Sequence, residues 1–249
     1  MKRPKVKAAL FAGAGLATLL AGLGLLRLRA AQEDDTATFA KRDAWQRPNE
    51  VMNKLGIKPG SVVADVGCGS GYFVFRLAAR VGPNGKVYAE DISSNILRKL
   101  HSRVHEKKLG QVEIVQGTTT DPYLPAGKID AILVVNAYHE MTDYDAMMHG
   151  MYAALKPGGL LAIIDHEAAT GQSRTIYRES HRISESLVRE DAARNRFQFL
   201  RSEPGFESTE SGKKYFFLIF SKPMVAAGRI TSRGFVMAKV KAHGTKAVL

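Results

Sequence analysis

Short apolar blocks alternate with amphipathic stretches of helical length from residue 61 onward. The apolar blocks predict strands at 61–67, 86–92, 112–117, 129–138 and 159–165, and the stretches between them predict helices at 72–81, 93–109 and 143–156. Strands that alternate with helices form βαβ units, so we expect a doubly wound, mostly parallel sheet in a three-layer α/β/α fold. After residue 184, one helix precedes strand-like segments near 197–201 and 214–221, which predicts a C-terminal antiparallel hairpin at the sheet edge.

The N-terminal pattern is different, because an uncharged stretch of nineteen residues runs from Ala8 to Leu26 between basic flanks. At about 1.5 Å per residue, a helix of that length nearly spans a hydrocarbon core of roughly 30 Å. We therefore predict that residues 1–31 form a membrane anchor. A cleaved signal peptide is the main alternative, since Ala30 and Ala31 resemble a cleavage site, although Arg29 lies unfavourably close to it. An organelle-targeting segment is the third.

Composition suits one catalytic domain, which we predict over residues 32–223, followed by a basic and flexible tail at 224–249. The net charge of +12 comes from the two ends of the chain, because residues 32–221 contain equal numbers of basic and acidic side chains. No specific nucleic-acid partner is therefore expected. The single cysteine, Cys68, excludes an internal disulfide.

A glycine-rich loop follows the first predicted strand and contains Gly67, Gly69 and Gly71. Glycines allow a sharp turn and let a ligand lie against the backbone at the start of a helix. A dinucleotide-binding loop would have the spacing G-x-G-x-x-G, but Tyr72 occupies the position of its third glycine, which disfavours hydride transfer. A phosphate-binding P-loop is also disfavoured, because no Gly-Lys-Ser/Thr sequence follows.

The segments Val63–Phe73, Val87–Ser93 and Leu155–Gly159 together resemble motifs of the class I S-adenosylmethionine (SAM)-dependent methyltransferases, and they occur in that family's order. The resemblance covers roughly residues 42–222. It implies a Rossmann-like fold, SAM as the methyl donor, and transfer of the methyl group to a small acceptor. A membrane anchor would favour a lipophilic acceptor, and the cytosolic origin of SAM would favour a cytosol-facing domain. Methylation of protein or RNA, or SAM binding without catalysis, are the alternatives. The acceptor and the oligomeric state stay open.

The resemblance also implies a set of cofactor-binding residues. Asp65 and the loop glycines would lie beside the aminoacyl tail of SAM, and an acidic residue ending the second strand would bind the ribose hydroxyls. Asp91 is favoured over Glu90 for that role, since neighbouring strand residues face opposite sides. Asp121 would contact adenine or form a turn, and Asn136 would complete the set.

Acceptor chemistry is expected at the end of the fourth strand, which in this family lies beside the reactive methyl group. Tyr138 and His139 are the predicted catalytic residues there, and a histidine has an intrinsic pKa suited to removing a proton from the acceptor. Trp45 would cover the cofactor or anchor its segment by hydrophobic packing. The predicted acceptor pocket consists of Trp45, His166, Tyr177 and His181.

The fifth strand ends in Asp165, His166 and Glu167, which together with His139 and His181 raises the question of a metal site. Consecutive strand residues point to alternating faces, so His166 is expected to point away from the two acids. No metal site is therefore predicted.

Overall fold

The computed structural model describes residues 39–205, 207–208 and 213–224. The N-terminal segment 1–31 and the basic tail beyond Met224 lie outside these residues, so both remain predictions, as do the domain boundaries. Within the described residues, no helix is both long and apolar enough to cross a bilayer.

Helices and strands alternate along most of the described chain. The helices are α1 (described over 39–46), α2 (Pro48–Lys54), α3 (Tyr72–Val81), α4 (Ser94–Glu106), α5 (Tyr144–Ala154), α6 (Arg174–Glu179) and α7 (Glu185–Arg194). The strands are β1 (Val62–Val66), β2 (Lys86–Asp91), β3 (Val112–Gln116), β4 (Ile129–Val135), β5 (Leu155–His166), β6 (Gln198–Ser202), β7 (Glu207–Ser208) and β8 (Lys213–Ser221).

The strands form a mixed sheet in the order β3-β2-β1-β4-β5-β8-β6, with the short β7 paired to β8. Strands β1 to β5 are parallel, whereas β8 runs antiparallel to both β5 and β6. The expected doubly wound sheet with a C-terminal antiparallel hairpin is therefore confirmed. In this order, the direction in which the chain adds strands reverses between β1 and β4. Ligands of open α/β sheets bind at such a switch point, outside the carboxyl ends of the strands.

Two buried apolar clusters lie on opposite faces of the sheet, because neighbouring side chains of each strand alternate between them. In β4, Leu133 belongs to the cluster that contains residues of α2, α3 and α4, and Val134 belongs to the cluster that contains residues of α5, α6 and α7. Both side chains are fully buried. This alternation gives the three-layer arrangement and fixes the strand ends that form the pocket described below.

The structure differs from the local predictions in three places. Strand β4 ends at Val135 rather than at residue 138, because Asn136 adopts a left-handed conformation with φ +53° and residues 138–140 form a short 3-10 helix. Helix α2 was not predicted, although Pro48 is a favourable first helical residue. Helix α6 lies in a stretch for which neither a helix nor a strand was predicted, and its start is capped by the Ser173 hydroxyl, which accepts a hydrogen bond from the Ile176 amide at 3.3 Å.

Candidate active site

A cavity of about 320 Å³ opens at the switch point between β1 and β4. Its walls come from the carboxyl end of β1, the glycine loop, the end of β4 and helix α1. The lining residues are Arg42, Asp65, Gly67, Cys68, Gly69, Ser70, Tyr72, Phe73, Val135 and Asn136. Four of the predicted cofactor-binding residues, at positions 65, 67, 69 and 136, thus meet in one cavity.

The loop glycines have positive φ angles for different reasons. At Gly67 (φ +71°), a Cβ atom would lie 2.4 Å from the Ala137 Cβ, so the protein itself leaves no room there. At Gly71 (φ +89°), a Cβ atom would lie 2.5 Å from Leu100 Cδ1. At Gly69 (φ +52°), a Cβ atom would meet nothing within 4 Å, although this residue lines the cavity. Of the three loop glycines, only Gly69 therefore keeps open a space that a ligand could use.

Acidic side chains dominate the electrostatics of this cavity. Asp65 is 3% exposed, and burial raises its pKa to about 7; the Arg42 guanidinium lowers it and the charge of Asp91 adds to the increase. Burial also raises the pKa of Glu90 to about 8, although the Gly67 amide opposes the shift. Buried carboxylates held close to one another favour a cationic ligand, because its charge would relieve their mutual repulsion.

The two acids that end β2 have different partners. Asp91 accepts hydrogen bonds through Oδ2 from the Gly69 amide at 3.1 Å and through Oδ1 from the Ser93 amide at 2.8 Å. Glu90 accepts one from the Gly67 amide at 3.3 Å, and its buried Oε1 has no hydrogen-bond partner among the described residues. Both carboxylates therefore contact the glycine loop, and Asp91 contacts its open position.

The exposed Asp121 follows β3 and forms a local turn. Its Oδ1 accepts a hydrogen bond from the Tyr123 amide at 2.7 Å, and its carbonyl oxygen accepts one from the Thr118 amide at 2.9 Å. Asp121 therefore forms a turn, which is one of the two roles expected from the sequence. Its contact with adenine stays a prediction.

Helix α1 covers the cavity. The Arg42 guanidinium lines the cavity and lies 4.0 Å from the centre of the Tyr72 ring. Trp45, one turn further along the helix, packs against Tyr215 with their ring centres 4.5 Å apart. Helix α1 thus contributes to the cavity directly through Arg42, while Trp45 packs the helix against strand β8. Sequence reasoning missed Arg42. The loop was expected to bind a cationic ligand, so a positively charged side chain beside it was not anticipated.

His139 is held in one orientation by Asp165. The Asp165 carboxylate is fully buried, and it accepts hydrogen bonds from His139 Nδ1 at 2.7 Å and from the His139 amide at 3.0 Å. With Nδ1 donating, Nε2 has the lone pair, and this buried atom has no hydrogen-bond partner among the described residues. Burial lowers the pKa of His139, but the hydrogen bond and charge of Asp165, together with Glu140, raise it overall.

Tyr138 points into the core instead. Its side chain is fully buried, and its hydroxyl donates a hydrogen bond to Asp191 Oδ2 at 2.7 Å. Arg174 forms an ion pair with the other oxygen of Asp191 at 2.6 Å. This buried network joins the 3-10 helix that contains His139 to α6 and α7, so Tyr138 lies where it can fix the position of its neighbour.

The segment around α6 folds back toward the end of β4. The Ile183 amide donates a hydrogen bond to the His166 carbonyl at 2.9 Å, which returns the chain to the end of β5. Tyr177 is almost fully buried and its hydroxyl donates to the Ala169 carbonyl at 2.7 Å. Tyr177 therefore anchors this segment from inside, whereas His181 is exposed and its ring centre lies 5.5 Å from that of His139.

His166 lies on the other side of this region. Its Nε2 is hydrogen-bonded to the Tyr215 hydroxyl, and the Asn136 side chain beside that hydroxyl lowers the pKa of Tyr215. Burial and the charge of Asp165 raise the pKa of Tyr215 to about 12. Tyr215 thus connects Trp45, His166 and the cavity residue Asn136. Sequence reasoning missed it because β8 was predicted only as an edge strand.

Residues 63–159 match the family model described as a methyltransferase domain. This match covers the glycine loop, the end of β2 and the end of β4, the three places where the cavity and its acidic side chains lie. Residues 63–159 therefore form a methyltransferase domain, and its motifs and fold are those of the class I SAM-dependent type. The family assignment made from the motifs is therefore confirmed.

Relatives and solved structures agree with this assignment. A demethylmenaquinone methyltransferase of Listeria welshimeri is 32% identical over 128 residues, covering 51% of this chain and 53% of the relative. The chain thus spans about half the length of this curated relative. A SAM-dependent methyltransferase from Aquifex aeolicus has 24% identity and a TM-score of 0.60, over 70% of this chain and 88% of its own. The [4+2]-cyclase SpnF has 18% identity and a TM-score of 0.61, over 74% and 83%. These structural similarities show the fold alone.

Proposed function

We propose that this methyltransferase transfers a methyl group from SAM to a small, lipophilic acceptor bound beside His139. One arrangement carries the proposal: Asn136 lines the glycine-loop cavity, and His139 follows three residues later with its buried Nε2 available. The cofactor cavity and an acceptor-side nitrogen are therefore neighbours at the end of a single strand. Methyl transfer needs such a fixed alignment of two reactants.

The residues of the cavity fit SAM. When bound, SAM supplies a methyl group on a positively charged sulfur, together with an ammonium group and a ribose diol. Asp65 suits the ammonium group, Asp91 suits the diol, and the open space at Gly69 lets the ligand approach the backbone. The pKa of Asp65, which burial raises to about 7, supports a cationic ligand at this position.

On the acceptor side, we propose that His139 acts through Nε2 and that Asp165 and Tyr138 position it. Asp165 fixes the ring orientation through Nδ1, and Tyr138 holds the backbone of the 3-10 helix through Asp191. Tyr138 is therefore a positioning residue in this proposal, since its hydroxyl already donates to Asp191 in the core.

Two observations support a lipophilic acceptor. Trp45 packs against Tyr215, which is hydrogen-bonded to His166, and this group offers flat apolar surface with a polar edge. The curated relatives are named demethylmenaquinone methyltransferases. In addition, the neutral charge of residues 32–221 disfavours a polynucleotide acceptor.

The test uses the full chain with SAM labelled on the methyl group and, separately, lipid, aqueous small-molecule, protein and RNA fractions. We expect label in a molecule extractable into organic solvent. His139→Gln should reduce the turnover at least about 100-fold, the lower range for loss of an acid–base or equivalent contact. SAM affinity should stay unchanged, because His139 does not line the cavity.

His149→Gln is the matched control, since His149 is an exposed histidine on α5. Label that appears only in protein or RNA would overturn the acceptor class. Full turnover by His139→Gln would remove His139 from the reaction.

A further inference from the structure

The 3-10 helix at the end of β4 and the segment after α6 place two histidines and a glutamate side by side. Potential ligand atoms of His139, Glu140 and His181 all lie within 4.8 Å of one another. Glu140 Oε1 lies 3.6 Å from His139 Nε2 and 3.7 Å from His181 Nδ1. From this geometry we propose that the three side chains bind a divalent transition-metal ion.

The two separations that involve Glu140 suit a metal. With metal–ligand bonds of about 2.0–2.2 Å, neighbouring ligand atoms of a tetrahedral site stand about 3.3–3.6 Å apart. Glu140 Oε1 is within a few tenths of an ångström of that separation from both nitrogens, and both Glu140 and His181 have exposed side chains that can adjust. Two imidazoles and one carboxylate favour ions such as Zn²⁺ or Fe²⁺ over Mg²⁺ or Ca²⁺, which prefer oxygen ligands alone.

His139 is already prepared as a ligand. Its Nδ1 donates to the fully buried Asp165 at 2.7 Å, the outer contact that commonly orients a metal-binding imidazole and increases its basicity. Its Nε2 is buried without a hydrogen-bond partner among the described residues, and such an atom is costly unless something binds it.

The C-terminal end of α6 determines where His181 lies. This residue has φ +52°, a conformation that non-glycine residues rarely adopt. Its amide donates to the Arg178 carbonyl at 3.1 Å, and the next amide, of Arg182, donates to the Tyr177 carbonyl at 3.0 Å. These are the hydrogen bonds of a common left-handed helix C-terminus, and they fix His181 at the end of α6, where its ring centre lies 5.5 Å from that of His139.

The inference deepens the proposed function and rests on it for the role of the ion: with the ion on Nε2, His139 acts on the acceptor through the ion and not directly. Three protein ligands leave coordination positions open toward solvent, where an acceptor hydroxyl can bind. The ion lowers the pKa of that hydroxyl, whose proton passes to water. The acceptor oxygen then forms a bond to the methyl carbon, while the carbon–sulfur bond breaks and its electron pair stays on sulfur.

The decisive experiment is metal binding without SAM or acceptor. The full chain, stripped of metal by a chelator and free of any affinity tag, is titrated with Co²⁺ by visible absorption and then with Zn²⁺ by competition. We expect one Co²⁺ per chain, displaced by Zn²⁺. Glu140→Gln and His181→Gln should each weaken binding at least about tenfold, whereas the control His149→Gln should not.

Loss of metal binding in Glu140→Gln or His181→Gln would report on the site and not on unfolding, because both side chains are exposed and lie outside the core. Asp165→Asn should weaken Co²⁺ binding by about 10–100-fold, because Asp165 orients the ligand His139 from outside the coordination sphere. Absent stoichiometric binding, or binding unaffected by Glu140→Gln and His181→Gln, would overturn the metal site.

A SAM titration of the metal-free chain separates this inference from the proposed function. SAM binding without Co²⁺ binding would leave the proposed function intact and remove the metal. Co²⁺ binding together with undiminished turnover in the chelated enzyme would overturn the role of the ion in holding the acceptor.

Discussion

The pKa of Asp65 makes a quantitative prediction about SAM binding. Asp65 is 3% exposed and lines the proposed cofactor cavity, and burial raises its pKa to about 7 in the free protein. A cationic ligand beside this carboxylate stabilises its ionised form, so the bound state should release the proton. SAM affinity should therefore increase with pH up to about 7, and Asp65→Asn should remove this dependence.

The expected magnitude follows from the ionised fraction of Asp65. With a pKa of about 7, the carboxyl is roughly 9% ionised at pH 6.0 and roughly 76% ionised at pH 7.5. The association constant should thus rise about eightfold over this interval. At pH 6.0 the protonation costs about 1.4 kcal/mol of binding free energy. An Asp with an ordinary pKa near 3.8 would give no change in this range.

The same shift affects stability without SAM. Between about pH 4 and pH 7 the folded protein binds more protons at Asp65 than the unfolded chain does. The contribution of Asp65 to stability is therefore present below pH 4 and is lost as the pH rises through 7. SAM should offset part of this loss.

Isothermal titration calorimetry at pH 6.0 and 7.5, in two buffers with different ionisation enthalpies, measures both the affinity and the protons released. About 0.9 proton per SAM should be released at pH 6.0. Glu90→Gln is the control for the other carboxyl whose pKa is raised, to about 8, and it should keep the pH dependence assigned to Asp65. A flat affinity between the two pH values, or an equal slope in Asp65→Asn, would refute the reasoning.

Two further predictions concern the glycine loop and the end of β2. Gly69→Ala should weaken SAM binding at least about tenfold, because its Cβ would enter the open space of the cavity. Gly127→Ala is the calorimetric control, since Gly127 has a similar φ of +64° and equally free space. Its SAM affinity should stay within about twofold of the unaltered protein. Asp91→Ala should lose more SAM affinity than Glu90→Ala, since hydrogen bonds to a charged carboxylate contribute about 1.5–3 kcal/mol each. The opposite ranking would assign the ribose to Glu90.

Much of the fold could be predicted because its signals are local. Buried parallel strands are short apolar blocks, and the glycine loop, Val87–Ser93 and Leu155–Gly159 occur in a recognisable order. Strand β4 was predicted three residues too long, because apolar character continues through Ala137 and Tyr138 while the left-handed backbone of Asn136 ends the strand. Periodicity does not report such a conformation.

The acceptor side could be predicted only in part, because it depends on long-range folding. Glu140 and His181 are forty-one positions apart in sequence, and they meet only because α6 folds back and the Ile183 amide binds the His166 carbonyl. Tyr177 was expected in the pocket from its position in the chain, yet its ring is buried beneath that segment. Sequence position alone does not distinguish a residue that lines a pocket from one that supports it.

The end of β4 separates two chemically different environments within a few residues. Asn136 faces a cavity whose buried acid, Asp65, favours a cation, and His139 faces a region where Asp165 makes an imidazole nitrogen available to an acceptor or a metal. In-line displacement requires the donor and the acceptor to approach from opposite sides of the transferred carbon. A strand end that is paired on both sides, by β1 and β5, holds these two environments at a fixed separation. Changes that loosen β4 should therefore reduce turnover more than they reduce the affinity for either ligand.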